Sequence, residues 1–198
     1  WILDIPDSSN CSLSYTKIQY SKSEKELVKD WGSTVTESVT DSTYNWFIRK
    51  FYWFGGSSTS WADAGNWKSS ASAAGTMSTA PAEKSDINEI IIYDNATYVP
   101  ILSSSEYKAK TFAVETGKKI DLNGKKLTVL NGFENKGEVT LSGGTLETGK
   151  ITNSGTLSLG GGTFKTLTEF TNESTGLIIS TGSGTVTLPS DTTKISEI

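Results

Sequence analysis

The chain has 198 residues, 35% of them hydrophobic, enough for a packed core in one large domain or two small ones. Its 22 acidic and 18 basic residues are scattered, give a net charge of −4 and include a single arginine, Arg49, so the clustered basic footprint of a nucleic-acid binder is missing. The absence of histidine removes His-dependent triads and His-ligated zinc, and the lone Cys11 removes any internal disulfide.

Abundant Thr favours strands, and abundant Ser with 19 Gly favours turns, so the composition leans all-β. No apolar run approaches the ~20 residues that a membrane helix needs, so no membrane insertion is expected. Opening at Trp1 with neither methionine nor signal peptide, the chain reads as a processed or excised piece of a longer protein. A secreted protein without disulfides suits a bacterial surface better than a small eukaryotic secreted domain.

Cys11, Leu13 and Tyr15 alternate with polar residues, and Ile18 and Tyr20 do so after a corner at Thr16-Lys17. The two short strands read as one turn of a β-coil, left over from a preceding unit. Ser23 to Asp30 reads as a short helix with Ser23 as N-cap and Glu26 completing a capping box. Residues 33 to 43 read as a polar loop. These elements form the first expected domain, residues 1–47.

Residues 48–85 form the second, a Trp-rich entry segment carrying Phe51, Tyr52, Trp53, Phe54, Trp61 and Trp67; just before it stand Tyr44, Trp46 and Phe47. Its tail from Lys68 to Pro81 is small and polar and reads as an exposed loop. Residues 86–198 form the third, opening with an apolar strand over Ile87 to Ile92 and a weaker one over Tyr98 to Leu102, interrupted by Pro100.

From about Thr111 one sentence repeats. Phe133-x-Asn135-x-Gly137-x-Val139-x-Leu141-x-Gly143-Gly144-Thr145-Leu146 returns as Ile151-x-Asn153-x-Gly155-x-Leu157-x-Leu159-x-Gly161-Gly162-Thr163-Phe164, 18 residues on. Upstream, Val114-x-Thr116 and Ile120-x-Leu122 lie 19 residues before Phe133-x-Asn135 and Val139-x-Leu141. Downstream, Asn172 follows Asn153 at 19, and Leu177 and Ile179 follow Leu157 and Leu159 at 20. Alternating apolar residues with glycine corners at such a period indicate an all-β, right-handed parallel β-helix of about 18–22 residues per turn, headed by an aromatic capping segment. Stacked turns predict an inward column of Ile120, Val139, Leu157 and Leu177, with Leu141, Leu159 and Ile179 beside it. A second column, of Asn135, Asn153 and Asn172, is expected at a corner, left-handed in backbone and hydrogen-bonded from turn to turn.

Tyr52-Trp53-x-Gly55, Trp61 and Gly65-Asn66-Trp67, then Pro81, Asp86 and the isoleucine-rich strand, resemble a module opening found in bacterial surface proteins. The Asn-x-Gly-x-Leu-x-Leu-x-Gly-Gly turns resemble β-helical autotransporter passengers and the large repetitive surface proteins of spirochaetes and other Gram-negative bacteria. The likeness covers residues 50 to 190 or so. It implies display at the cell surface with an adhesive or spacer role.

Trp53, Trp61, Trp67 and Tyr52 are the candidate binding residues. They either plug the end of the coil, the preferred reading, or form a flat platform for sugar rings. Asp63, Asp86, Asp94 and Asp121 stand apart from one another, and Glu134, Glu138 and Glu147 fall on outward positions, so no carboxylate pair for glycoside chemistry is legible. Lys118, Lys119, Lys125 and Lys126 read as charges that keep strand edges soluble. The expectation is therefore a non-enzymatic extracellular module, without metal or cofactor, serving as adhesin or scaffold. Its expected partners are a host surface protein or glycan, and neighbouring modules end to end. A glycan-binding module on a Trp platform is the alternative, and a degenerate polysaccharide lyase or hydrolase stands third.

Overall fold

In a computed structural model the chain divides into two compact units, Trp1–Arg49 and Lys50–Ile198. The structure describes residues 11–13, 17–18, 28–30, 34–35, 49–71, 80–86, 88–94, 97–190 and 195–197. Among these, no helix is long and apolar enough to cross a membrane.

In the first unit, β1 (Cys11–Leu13) pairs in parallel with β3 (Val28–Asp30), and β2 (Lys17–Ile18) with β4 (Thr34–Val35). The strands of each pair are offset by 17 residues, Cys11 facing Val28 and Lys17 facing Thr34. Two successive turns of a parallel coil are thus present where one was expected. The helix expected over Ser23 to Asp30 is corrected by β3: the alternating pull of a strand partner outweighs a local capping signal. Residues 23–27, and with them the capping box, lie outside the described residues, as do Tyr44, Trp46 and Phe47.

The second unit is a parallel β-solenoid of about five turns. It opens with β5 (Arg49–Trp53), β6 (Trp67–Lys68) and β7 (Asn88–Ile92). Long strands β8 (Glu106–Val114), β10 (Lys126–Asn135), β12 (Thr145–Asn153) and β14 (Thr163–Asn172) alternate with short ones, β9 (Lys119–Asp121), β11 (Glu138–Thr140), β13 (Thr156–Ser158) and β15 (Leu177–Ile179). Beyond them, β16 (Thr185–Thr187) and β17 (Ile195–Glu197) both pair with β14. The long strands stack into one sheet and the short ones into another. Each long strand shifts register midway, between Val129 and Gly132 in β10 for example, so every turn presents three sides.

Alternation along each side sends one set of residues inward. Tyr107, Leu127, Leu146 and Phe164 form one buried column; Phe112, Phe133, Ile151 and Phe170 form a second. The Phe112 and Phe133 rings stack with centroids 5.4 Å apart and planes 5° from parallel. The third side buries Ile120, Val139 and Leu157 in register, with Leu141 and Leu159 at the following corner.

At that corner Gly144 N–H bonds to Leu141 O at 2.7 Å, and the two residues between, Ser142 and Gly143, have φ of 48° and 80°. Positive φ at both central positions favours Gly at the second. Gly144 is required for a different reason, because a Cβ there would sit 2.4 Å from Lys125 O in the turn above.

Two expected alignments are corrected. Phe133 lies over Phe112, and Asn135 over Val114, because the offset between β8 and β10 is already 20 at Glu106–Lys126 and the midstrand shift in β10 adds one residue more, where a constant period of 19 was read. On the last turn Leu157 lies over Ile178, not Leu177, and Ser158 over Ile179. The corner from Asn172 to Gly176 is longer by two residues than that from Asn153 to Gly155, so the true offset there is 21 and the parity flips. Leu177 and Ile179 consequently face outward, 52% and 37% exposed, while Ile178 points in and is partly buried.

The parity correction is testable by urea unfolding followed by circular dichroism. Leu157→Asp should cost at least ~3 kcal/mol by burying an unpaired charge, whereas Leu177→Asp should stay within about 0.5 kcal/mol of the parent. Equal losses would restore the inward assignment of Leu177.

Candidate functional site

Strand β5 divides the aromatic segment by alternation. Phe51 and Trp53 point inward and are buried; Tyr52 and Phe54 point outward and are partly exposed. Trp53 faces Trp67 across the antiparallel β5–β6 pair, with ring centroids 5.1 Å apart. Trp61 joins Trp67 at 4.7 Å, packs on Tyr107 at 5.1 Å, and lies 6.4 Å above Phe112 at 21°. Trp61 therefore continues the Phe112–Phe133 stack, and the indoles fill the top of the coil as its first layer.

Each indole N–H is satisfied by a carbonyl: Trp53 to Tyr98 O at 3.0 Å, Trp61 to Pro81 O at 3.2 Å and Trp67 to Trp61 O at 2.8 Å. Buried Asn66 ties the loop beneath them. Its Oδ1 accepts from the Ser57 and Ser58 amides at 2.8 and 3.0 Å, and its Nδ2 donates to Ser60 O at 2.9 Å. Asp63 accepts from Ser58 Oγ at 2.8 Å and from the Gly65 amide at 2.9 Å. The Gly-Asn-Trp motif is thus a structural knot. A sugar platform on Trp53, Trp61 and Trp67 has no exposed ring face to use.

The outward rows of β5 and β7 lie side by side. Lys50 pairs with Glu89 at 3.1 Å, and Tyr52 meets Tyr93 edge-on at 5.8 Å, with Phe54 5.3 Å from Tyr93. Tyr93 is an exposed aromatic, and Tyr52 and Phe54 are half-buried. Next to these rows an open groove of about 310 Å³ crosses the turns. Small Ala113 and Gly132 line it together with Ile91, Thr111, Thr152, Glu134 and Lys150. Sequence reasoning found Tyr52 but grouped it with the indoles. Phe54 and Tyr93 were legible only through strand parity, since Tyr93 continues the outward row of Glu89 and Ile91.

The predicted structural columns are placed as follows. Asn135 Nδ2 donates to Asn153 Oδ1, and Asn153 Nδ2 to Asn172 Oδ1, each at 2.8 Å; Asn172 Nδ2 closes the series on Gly176 O at 2.9 Å. The ladder was expected, but its asparagines are the last residues of β10, β12 and β14 and do not have positive φ. An extended backbone aims each amide along the stack, and the left-handed residues other than glycine fall at the opposite corner, at Asn123 and Ser142.

The acidic residues are engaged by neighbours of the structure itself. Asp86 pairs with Lys108 at 2.7 Å, Asp94 with Lys118 at 2.9 Å, Glu138 with Lys119 at 2.7 Å and Glu134 with Lys136 at 2.9 Å. Asp121 accepts from the Asn123 amide at 2.7 Å. Lys126 lies between Glu106 at 3.7 Å and Glu147 at 3.5 Å, and Lys84 reaches Glu106 at 2.8 Å. Among the described residues no group of three or more Cys, Asp or Glu is placed to hold a metal. Comparison with protein-family models, with curated proteins and with solved structures gives no match.

The Lys84 ammonium, and behind it Lys126, hold the Glu106 carboxyl below the usual carboxylate range. A depressed acid stabilises the fold above its unfolded pKa, and that contribution is lost as pH falls through the folded value. Glu106→Gln should therefore lower the melting temperature slightly at neutral pH, and the difference from the parent should vanish at acid pH. A gap that persists unchanged at low pH would remove the carboxylate as its cause.

The plug and the outward trio should separate in thermal melts. Trp67→Ala should cost about 3–5 kcal/mol, as for a fully buried aromatic, while Tyr93→Ser should leave the melting temperature nearly unchanged. A mild Trp67→Ala would argue that the upper layer is not part of the core.

Proposed function

We propose that this chain is a non-enzymatic β-helical module of a large bacterial secreted or outer-membrane-associated protein, acting as adhesin or structural scaffold. The observation that carries this reading is how the polar groups are used. Carboxylates and lysines pair between neighbouring turns, and the buried amides bond to one another and to backbone. Polar chemistry is thus devoted to holding a regular stack, which is what a spacer needs. The module opening at Tyr52-Trp53-x-Gly55 and Gly65-Asn66-Trp67 supports the surface-protein assignment by resemblance.

A second reading is favoured by one feature, the partly exposed Tyr52, Phe54 and Tyr93 beside the groove. Aromatic edges and faces next to Thr hydroxyls and carboxylates suit the mixed apolar and hydroxylated surface of a glycan. On this reading the contact lies on the flank of the coil, away from the indoles.

Beads coated with the chain, offered to host cells and to a glycan array, test both readings. Adhesion retained by Tyr52→Ser/Tyr93→Ser but lost on unfolding would support a broad protein contact. A drop of about ten-fold in glycan binding with an unchanged melting temperature would support the flank site. Parent chain that binds neither cells nor glycans would leave only the scaffold role.

A further inference from the structure

The flank of the coil carries a glycine that the fold does not demand. Gly144 and Gly149 sit where a Cβ would meet the backbone of a neighbouring turn, 2.4 Å from Lys125 O and 2.5 Å from Leu130 O. At Gly132 a Cβ would meet only the Lys150 side chain, 3.3 Å from Cε and 3.6 Å from Cγ, and φ there is not positive. The missing side chain therefore shapes the surface. With Ala113 it lowers the floor of the flank groove, and Lys150 reaches back across that floor from β12.

The polar groups of the groove are unevenly committed. Lys50 and Glu89 neutralise each other at 3.1 Å, and Glu134 is held by Lys136 at 2.9 Å. Lys150 is exposed and makes no ion pair among the described residues; Glu169, aligned with it on β14, does not reach it. The Thr148, Thr166 and Thr168 hydroxyls donate to backbone carbonyls, whereas those of Thr111 and Thr152 in the groove have no partner among the described residues. One cation and two hydroxyls are thus left for a ligand.

The lining comes from β5, β7, β8, β10 and β12, which are neighbours in the sheet, so the groove follows the coil axis over about 19 Å, four strand spacings of ~4.8 Å. A ligand lying in it crosses the strands. Pyranose rings joined through equatorial bonds advance by nearly one strand spacing each, so successive rings meet successive turns. An extended peptide advances only ~3.3 Å per residue and falls out of step.

We propose that this groove binds an unbranched acidic glycan, a chain of uronic acid units lying along the coil axis, with Lys150 on a carboxylate. The proposal rests on the flank reading above and names its ligand and the residue that selects it. Thr111 and Thr152 meet ring hydroxyls, and Tyr52 and Tyr93 at the margin meet the apolar face of a sugar. Because Lys150 is exposed, its ion pair sets the choice of ligand more than the total affinity.

Calorimetric titration with unbranched uronic acid oligosaccharides of increasing length, and with the same chains after reduction of their carboxyls to alcohols, tests this. Affinity should rise up to about five units and then flatten. The acidic series should bind more tightly, by a margin that shrinks as salt is added. Lys150→Met should weaken the acidic series about ten-fold and leave the reduced series unchanged. Gly132→Val should weaken both series at an unchanged melting temperature; should it lower that temperature, the Lys150→Met comparison decides alone. Equal binding of the two series, or an equal effect of Lys150→Met on both, overturns the acidic ligand and leaves the flank reading standing. A best length of one or two units overturns the placement along the axis. Binding of neither series, while other glycans bind and lose affinity with Tyr52→Ser/Tyr93→Ser, overturns the proposal alone. Binding of no glycan at all overturns both.

Discussion

Hydrogen bonds between successive turns fix everything else in this molecule. Because they run in parallel register, each residue sits over its counterpart about 4.8 Å away, and like stacks on like. Phe112 meets Phe133, Val139 meets Leu157, Asn135 meets Asn153, and Lys126 finds Glu147 on the next turn. The stack rewards any side chain that interacts well with its own kind and penalises one that does not. A charge placed in an inward column would have no partner above or below it.

This logic explains what was legible in the sequence. The repeat from Phe133 to Phe164 contains no insertion on the third side, so its period could be read straight into the Val139–Leu157 register. The asparagine column was legible for the same reason. What failed were alignments that crossed an added residue. The midstrand corner of β10 and the longer corner after Asn172 each change the count, and around a period-two side chain a single residue is enough to exchange inside for outside. Leu177-Ile178-Ile179 is apolar throughout, so composition gives no hint of which of the three is buried.

The aromatic segment was legible as a unit and illegible in its parts. Tyr52-Trp53 looks like one cluster in sequence, yet adjacent strand residues face opposite ways, so one ring joins the core and the other faces solvent. Tyr93 lies far from Tyr52 in the chain and reaches it only because β7 stacks beside β5. The candidate contact surface is therefore a product of the stack, assembled from outward residues of strands that are remote in sequence.

The asparagine ladder has a mechanical consequence. Its amides point the same way along the stack, parallel to the bonds between turns, so tension applied along the axis loads them directly. A coil pulled in that direction peels one turn at a time from its weaker end. The ladder stiffens the corners that follow β10, β12 and β14 by tying each to the next, and it terminates on Gly176 within the last long corner. Under load, the turns beyond that point should yield first, leaving the indole-sealed turns standing.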